Sequence, residues 1–402
     1  MMTKHGKNRP PGFQTRAIHH GYEPKKFLGS VAPPIFMTST YAFEGIEDAA
    51  AVMAHEREGY LYGREANPTQ ALLEARLANL EGAEACVVVA SGMGAVGTLL
   101  LSLLSQGDEI VVNRTLYSNT HTLSRQALPR FGIKVVPVDL TDPGTLDSAL
   151  TPRTKLVYFE TPVNPTSEVI DIAAVARRAR AAGVRVVVDS TFASPCVQRP
   201  IEHGADVVLH SLTKYINGHG DLLGGAVLGD AATIEQVRGN GLRYITGATL
   251  SPMAAFLVLR GMKTLKLRMQ QHAASASAVA EMLAAHPAVA WIRYPFLAGS
   301  REYAVAKKQM SLGSAMMAFG LKSGFAGAAR MMDRLQLISR AVSLGDAESL
   351  IMHPASLTRA RQKVYPETTL AAGVTDDLIR LSIGLEDAED LLDDLTQALE
   401  GA

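Results

Sequence analysis

Apolar residues in the first two-thirds of the chain fall into short runs, each closed by a polar or glycine-rich turn. Residues 85–90, 109–112, 135–138, 156–159, 184–188, 206–209 and 222–228 have this form. Runs of that length, rich in valine, predict strands covered on both faces. The stretches between them have helical spacing. In 69–80, Leu72, Leu73, Leu77 and Leu80 share one side, and 92–104 and 173–182 also predict helices. Strands that alternate with helices imply a mostly parallel sheet. From Ser251-Pro252 to about residue 283 the pattern predicts one long helix carrying Leu257, Leu259, Leu265 and Leu267. Beyond it, 288–293, 315–319, 336–339 and 378–383 predict strands of a smaller α/β domain. Helices are expected there at about 301–310, 325–334 and 386–400. Residues 1 to about 60 are weakly periodic and rich in Pro and Gly, and Val31-Ala32-Pro33-Pro34-Ile35 predicts extended chain. The expected fold class is α/β: an N-terminal arm over 1–62, a large sheet domain over 63–255, and a smaller C-terminal α/β domain over 256–402 that includes the linking helix.

Composition narrows the field of partners. The chain has 402 residues, 47% hydrophobic and 19% charged, ample for a core, and its formal net charge is zero. A balanced charge argues against nucleic acid or a membrane surface as partner. No apolar run is long enough to span a bilayer. The two cysteines, Cys86 and Cys196, sit in or near apolar runs and predict free thiols rather than a disulfide or a metal site. A cytoplasmic location is expected.

The candidate chemistry centres on His210-Ser211-Leu212-Thr213-Lys214-Tyr215, which follows the run Asp206-Val207-Val208-Leu209. A lysine directly after a buried strand is costly as a bare ammonium. Desolvation lowers its pKa and lets the amine form a Schiff base with an aldehyde. Ser211 and Thr213 offer hydroxyls suited to phosphate, and Val186-Val187-Val188-Asp189 ends a second strand in a carboxylate. An aldehyde-binding lysine, hydroxyls for phosphate and an acid for a pyridinium nitrogen are what pyridoxal 5'-phosphate requires. A Ser-x-x-Lys motif also serves penicillin-binding enzymes, but that chemistry expects a later Lys-Thr-Gly, which this sequence lacks. Ser91-Gly92-Met93-Gly94-Ala95 lies between a strand and a helix, where free amides and the helix dipole favour an anion. Gly92, Tyr117, the segment Glu160-Thr161-Pro162-Val163-Asn164, Asp189 and Lys214 all fall at the C-terminal ends of predicted strands, where ligands of such sheets bind.

Ser211-Leu212-Thr213-Lys214-Tyr215 with Gly218-His219-Gly220-Asp221 resembles the cofactor-lysine motif of the Cys/Met-metabolism pyridoxal-phosphate enzymes (fold type I). The similarity runs from Thr15-Arg16-Ala17-Ile18-His19-His20-Gly21 to Gly384-Leu385-Glu386-Asp387 and is strongest to the bacterial methionine γ-lyase branch. It implies a large domain of the aspartate-aminotransferase type. It assigns Lys214 to the cofactor, Asp189 to the ring nitrogen, Tyr117 to stacking on the ring and to proton transfer, and the Gly92 and Met93 amides with Ser211 and Thr213 to the phosphate. Tyr62 and Arg64 are implied to reach the phosphate of a neighbouring subunit, so that a homo-oligomer, a dimer of active dimers, is expected. Asn164 is implied to bond the cofactor's phenolic oxygen and the substrate carboxylate, with Ser343 and Arg380 holding that carboxylate. The activity implied is removal of the γ-substituent of a small L-amino-acid substrate, to 2-oxobutanoate and ammonia or to a product carrying a new γ-group. Lys214 is implied to move the Cα proton and then a Cβ proton.

One region departs from the branch. The second residue after the stacking tyrosine is typically a cysteine there, and here it is Asn119; a Lys-Asp pair is replaced by Arg243-Tyr244. An amide bonds a polar γ-group better than a thiol does, and sites that hydrogen-bond their substrate discriminate strongly. Asn119, Arg243 and Tyr244 are therefore candidate substrate residues. Canavanine, with a polar γ-oxygen, is a candidate substrate beside methionine, although Arg243 would tend to repel its guanidinium. Cystathionine and O-acyl homoserine are others, and γ-replacement is an alternative to γ-elimination.

Overall fold

The computed structural model describes residues 10–400. A seven-stranded sheet is built from β1 (Ala85–Val89), β2 (Glu109–Asn113), β3 (Lys134–Val138), β4 (Thr154–Glu160), β5 (Arg185–Asp189), β6 (Val207–Ser211) and β7 (Gly225–Gly229). Its order is β1-β7-β6-β5-β4-β2-β3, and β7 alone runs antiparallel to its neighbours. Val186, Val187 and Val188 of β5 are each essentially inaccessible, as are Val207 and Val208 of β6. Each such burial contributes roughly 1.5 kcal/mol or more, so these strands tolerate no charge mid-run. The polar residues that end them are thereby fixed at one edge. The register sets Glu160 beside Asp189, and Asp189 beside Leu209.

A second sheet, in the order β10-β11-β12-β9-β8, comprises β8 (Val289–Arg293), β9 (Met316–Leu321), β10 (Ser339–Arg340), β11 (Leu350–Met352) and β12 (Leu378–Ser382). It is antiparallel except for the pair β10 and β11. Among the described residues no helix is long and apolar enough to cross a membrane.

The helices after β1 and before β5 form as expected, at Gly92–Leu103 and Ile172–Ala181. Ser91 and Asp171 cap them by accepting from the amides of Gly94 and Ala174. Three expectations need correction. The single helix over 251–283 is two, Pro252–Met262 and Leu265–Ala285. Arg268 donates to the carbonyls of Gly261 (2.9 Å) and Tyr215 (2.7 Å), so a buried guanidinium satisfies the end of the first helix and ties it to the Lys214 loop. A Cβ on Gly261 would meet the Asn217 carbonyl oxygen at 2.3 Å, which keeps that contact close. The strand expected over 336–339 shrinks to Ser339–Arg340, because the amides of Gln336, Leu337 and Ile338 donate to the Asp394 carboxylate at 2.8, 3.0 and 2.9 Å. The strand expected over 222–228 starts only at Gly225, which frees Leu222 and Leu223 to line a cleft. Within the weakly periodic N-terminal stretch, Phe13–His19 and Ile46–Met53 are helical. Cys86 is a buried free thiol and Cys196 a half-buried one.

Candidate active site

A cleft of about 1210 Å³ opens beyond the C-terminal ends of β4, β5 and β6. Gly92, Met93, Tyr117, Asn119, Asn164, Asp189, Ser211, Thr213, Lys214, Ser343 and Arg380 all line it. Eleven residues scattered over most of the sequence thus converge on one cavity.

Lys214 follows β6 by three residues, and its Nζ donates to Ser343 Oγ at 2.6 Å. Burial lowers its pKa from 10.5 to about 8; Asp346 opposes the shift and Arg380 adds to it. An amine poised there is a nucleophile at mildly alkaline pH. Uptake of an aldehyde cofactor by the apoprotein should accordingly accelerate as pH rises through about 8, since the reactive neutral amine forms above that value. Stopped-flow absorbance would read this, and a midpoint near that of a free lysine would contradict it.

At the other wall, Arg380 of β12 is buried. It donates to the Ser343 carbonyl at 2.7 Å and to Asn164 Oδ1 at 3.1 Å. Among the described residues no carboxylate lies within ion-pair distance of Arg380, and burial lowers its pKa to about 10. A buried cation without a counter-charge is a receptor for an anion. Ser343, with φ at 88°, spans Lys214 and Arg380 through its hydroxyl and its carbonyl.

Asp189 is held by the Thr191 amide (2.9 Å), while burial drives its pKa up. Burial and the adjacent Asp189 push Glu160 well above the usual carboxylate range. Two carboxylates lie side by side at the edge of the cleft, an arrangement that favours a cationic group against them. Glu160 also accepts from the amides of Tyr117 (2.7 Å) and Asn164 (3.3 Å), fixing both loops. At the helix start, the Gly92 and Met93 amides and the Ser211 hydroxyl have no hydrogen-bond partner among the described residues. A Cβ on Gly92 would sit 3.0 Å from Ser211 Oγ, so the glycine keeps this corner open.

The donor set therefore fits pyridoxal phosphate: free amides and a hydroxyl for phosphate, a buried acid pair for the pyridinium, and a neutralisable amine for the aldehyde. Lining residues, charges and topology together define a pyridoxal-phosphate-dependent enzyme whose substrate carries a carboxylate. Comparison with known proteins is specific. The Cys/Met metabolism PLP-dependent enzyme family matches residues 14–400, and the chain belongs to it. L-methionine gamma-lyase of Pseudomonas putida is 49% identical over 398 residues, 99% of this chain and all of that protein. O-succinylhomoserine sulfhydrylase of Pseudomonas aeruginosa is 40% identical, covering 96% of this chain and 95% of its own length. The crystal structure of cystathionine gamma synthase from Xanthomonas oryzae pv. oryzae, in complex with aminoacrylate and cysteine, superposes with a TM-score of 0.90 at 40% identity, covering 98% of both chains.

Four site residues named from the sequence lie outside this cleft, two of which, Tyr62 and Arg64, were expected to serve a neighbouring subunit. Tyr62, Arg64, Arg243 and Tyr244 do not line the cleft of their own chain. Arg64 donates to the Arg243 carbonyl at 2.6 Å and stacks on Tyr62, and Arg243 pairs with Glu65 at 3.1 Å. Within one chain, then, Glu65 holds the Arg243 guanidinium and Tyr244 is exposed, and neither faces the cleft. Three cleft residues carry no mark in the sequence: Asp346, whose Oδ1 is buried without a partner, Thr191, which anchors Asp189 and the Ser211 amide, and Arg361. Glu160 had a signal, being an acid at a strand end like Asp189.

Proposed function

We propose that this enzyme removes the γ-substituent of an L-amino acid, as a γ-lyase of the methionine γ-lyase kind, releasing 2-oxobutanoate and ammonia. The observation that carries this reading is the Lys214–Ser343–Arg380 bridge. It sets a carboxylate receptor beside a low-pKa amine, as an α-amino acid held for proton removal at Cα requires. Pyridoxal phosphate, when bound, supplies the electron sink. Arg380, with Asn164 and Ser343, orients the substrate carboxylate. Lys214 moves the proton from Cα and then from Cβ, and Asp189 keeps a proton on the ring nitrogen. Gly92, Met93, Ser211 and Thr213 hold the phosphate.

Residues 63–255 in this reading hold the cofactor, and 256–402 bring Ser343 and Arg380. Of the arm over 1–62, residues 1–9 lie outside the described residues, and 10–62 pack on a neighbouring subunit. Exposed apolar side chains such as Leu28, Val31 and Ile46 support such packing, as does the separation of Tyr62 and Arg64 from their own cleft. We read the assembly as a dimer of active dimers in which these two residues serve the neighbour's phosphate. Unpaired cysteines and balanced charge suit a cytoplasmic enzyme without nucleic-acid or membrane partners.

Asn119 supports a second reading, preference for a polar γ-oxygen group, because it does lie in the cleft. Product analysis with L-methionine and L-canavanine in parallel tests both. Methanethiol with 2-oxobutanoate from the first supports the methionine reading, and homoserine or 2-oxobutanoate from canavanine alone supports the second. Failure on both, with an ester-dependent product formed only when sulfide is present, would make the enzyme a γ-replacement transferase. Asn119→Cys is expected to shift the canavanine-to-methionine ratio toward methionine by about tenfold, the worth of one hydrogen bond to substrate. An unchanged ratio would remove Asn119 from substrate selection.

A further inference from the structure

Arg361, in the helix Pro354–Gln362 at the cleft mouth, donates from Nη1 to Asn119 Oδ1 at 2.6 Å, and Asn119 Nδ2 lies 2.9 Å from the Tyr117 hydroxyl. A guanidinium can only donate, so the amide atom facing it must be the oxygen. The amide nitrogen can then only donate to Tyr117, whose hydroxyl oxygen is the acceptor. The phenolic proton is consequently not spent on Asn119 and stays free to turn into the cleft that Tyr117 lines. Among the described residues Arg361 pairs with no carboxylate, so Asn119 is not competing with an acid for it.

From this chain of bonds we infer that Arg361 and Asn119 are positioning residues that fix the direction of the Tyr117 hydroxyl and thereby set how basic a γ-leaving group the enzyme can expel. The inference rests on the γ-lyase reading. In the step concerned, the Cβ–H electrons close a Cβ–Cγ double bond and the Cγ–X bond breaks with its electron pair on X. Tyr117 gives its proton to X, and the resulting phenolate is held by the Asn119 N–H until it regains a proton from solvent. Groups whose charge bears on Tyr117 are Arg361 and Arg380, which favour the phenolate, and Glu160, which opposes it; burial opposes it most. A weakly basic X leaves without help, whereas a strongly basic X needs the proton.

Asn119→Asp provides the test, because it is isosteric and retains the contact with Arg361. A carboxylate can only accept, so it would draw the Tyr117 proton out of the cleft. The holoenzyme would be assayed on S-aryl and S-alkyl L-homocysteines whose thiols span a range of acidity, with 2-oxobutanoate as readout. The expected loss in kcat/KM for Asn119→Asp is about threefold for the most acidic thiol and about a hundredfold for the most basic. Arg361→Lys, still a pure donor, should keep the wild-type dependence on thiol acidity, whereas Arg361→Gln, which lets the amide turn over, should steepen it. An equal loss across the series in Asn119→Asp, or like behaviour of the two Arg361 variants, would overturn the inference and leave a packing role. Absence of 2-oxobutanoate from every substrate with the wild-type holoenzyme would instead overturn the γ-lyase reading.

Discussion

Lys214→Ala is expected to lower turnover by at least about a thousandfold, because one amine serves both to anchor the cofactor and to move two protons. The fold should survive. In the wild-type protein this amine is half-buried against a single hydroxyl, Ser343 Oγ, and its charge is already disfavoured there. Removing it therefore takes away a desolvated cation along with one hydrogen bond, and the two changes roughly offset. Borohydride treatment followed by peptide mass analysis separates the roles. The wild type should yield a cofactor adduct on Lys214, while the variant should yield none yet still retain cofactor reversibly through its phosphate contacts. Residual turnover near the wild-type rate would show that another amine does the work.

Arg380→Met should produce the second largest effect, a fall in kcat/KM of about a hundredfold or more. That follows from losing one member of a buried charge pair once substrate is present, about 3 kcal/mol or more. The stability change should have an unusual sign. Without substrate, Arg380 is a buried cation that lacks a counter-charge, which burial resists. An apolar side chain of similar length leaves the Ser343 carbonyl and Asn164 Oδ1 short of a donor but removes the larger cost of the charge. The unfolding temperature of the substrate-free variant is thus expected not to fall, while the stabilisation that the wild type gains from a carboxylate analogue disappears. A clear drop in unfolding temperature would mean that the two hydrogen bonds outweigh the charge.

Much of this arrangement could be read from residue order alone because its determinants are local. A valine run stops where a carboxylate, a glycine or a lysine begins, and the core that fixes the run also fixes the polar residue at its end. Asp189, Lys214 and Gly92 were legible for that reason. Features set by a distant partner were not. The break between Met262 and Leu265 depends on Arg268 reaching the Tyr215 carbonyl, and the shortening of β10 depends on Asp394 far downstream. Helix Pro354–Gln362 is short and polar and buries only Pro354 and Ala355, so it leaves almost no periodic trace, and Arg361 went unseen with it. Arg243 illustrates the converse: its position was plain, but Glu65 decides where its charge points.

Ser343 adopts a left-handed backbone conformation, which a serine holds only at a cost of about 1–3 kcal/mol. Its restraints come from Lys214 and Arg380, the two groups that cofactor and substrate must each claim. Loading exchanges these tethers: the cofactor takes the Lys214 amine from the Ser343 hydroxyl, and a substrate carboxylate held by Ser343 and Arg380 replaces it. The loop is therefore a gauge of the enzyme's state, its hydroxyl released when cofactor alone is bound and engaged again when substrate arrives. Amide hydrogen exchange at residues 341–346 should rise when cofactor is added to the apoprotein and fall again with a carboxylate analogue, whereas a fall at both steps would show that the Lys214 bond does not restrain the loop.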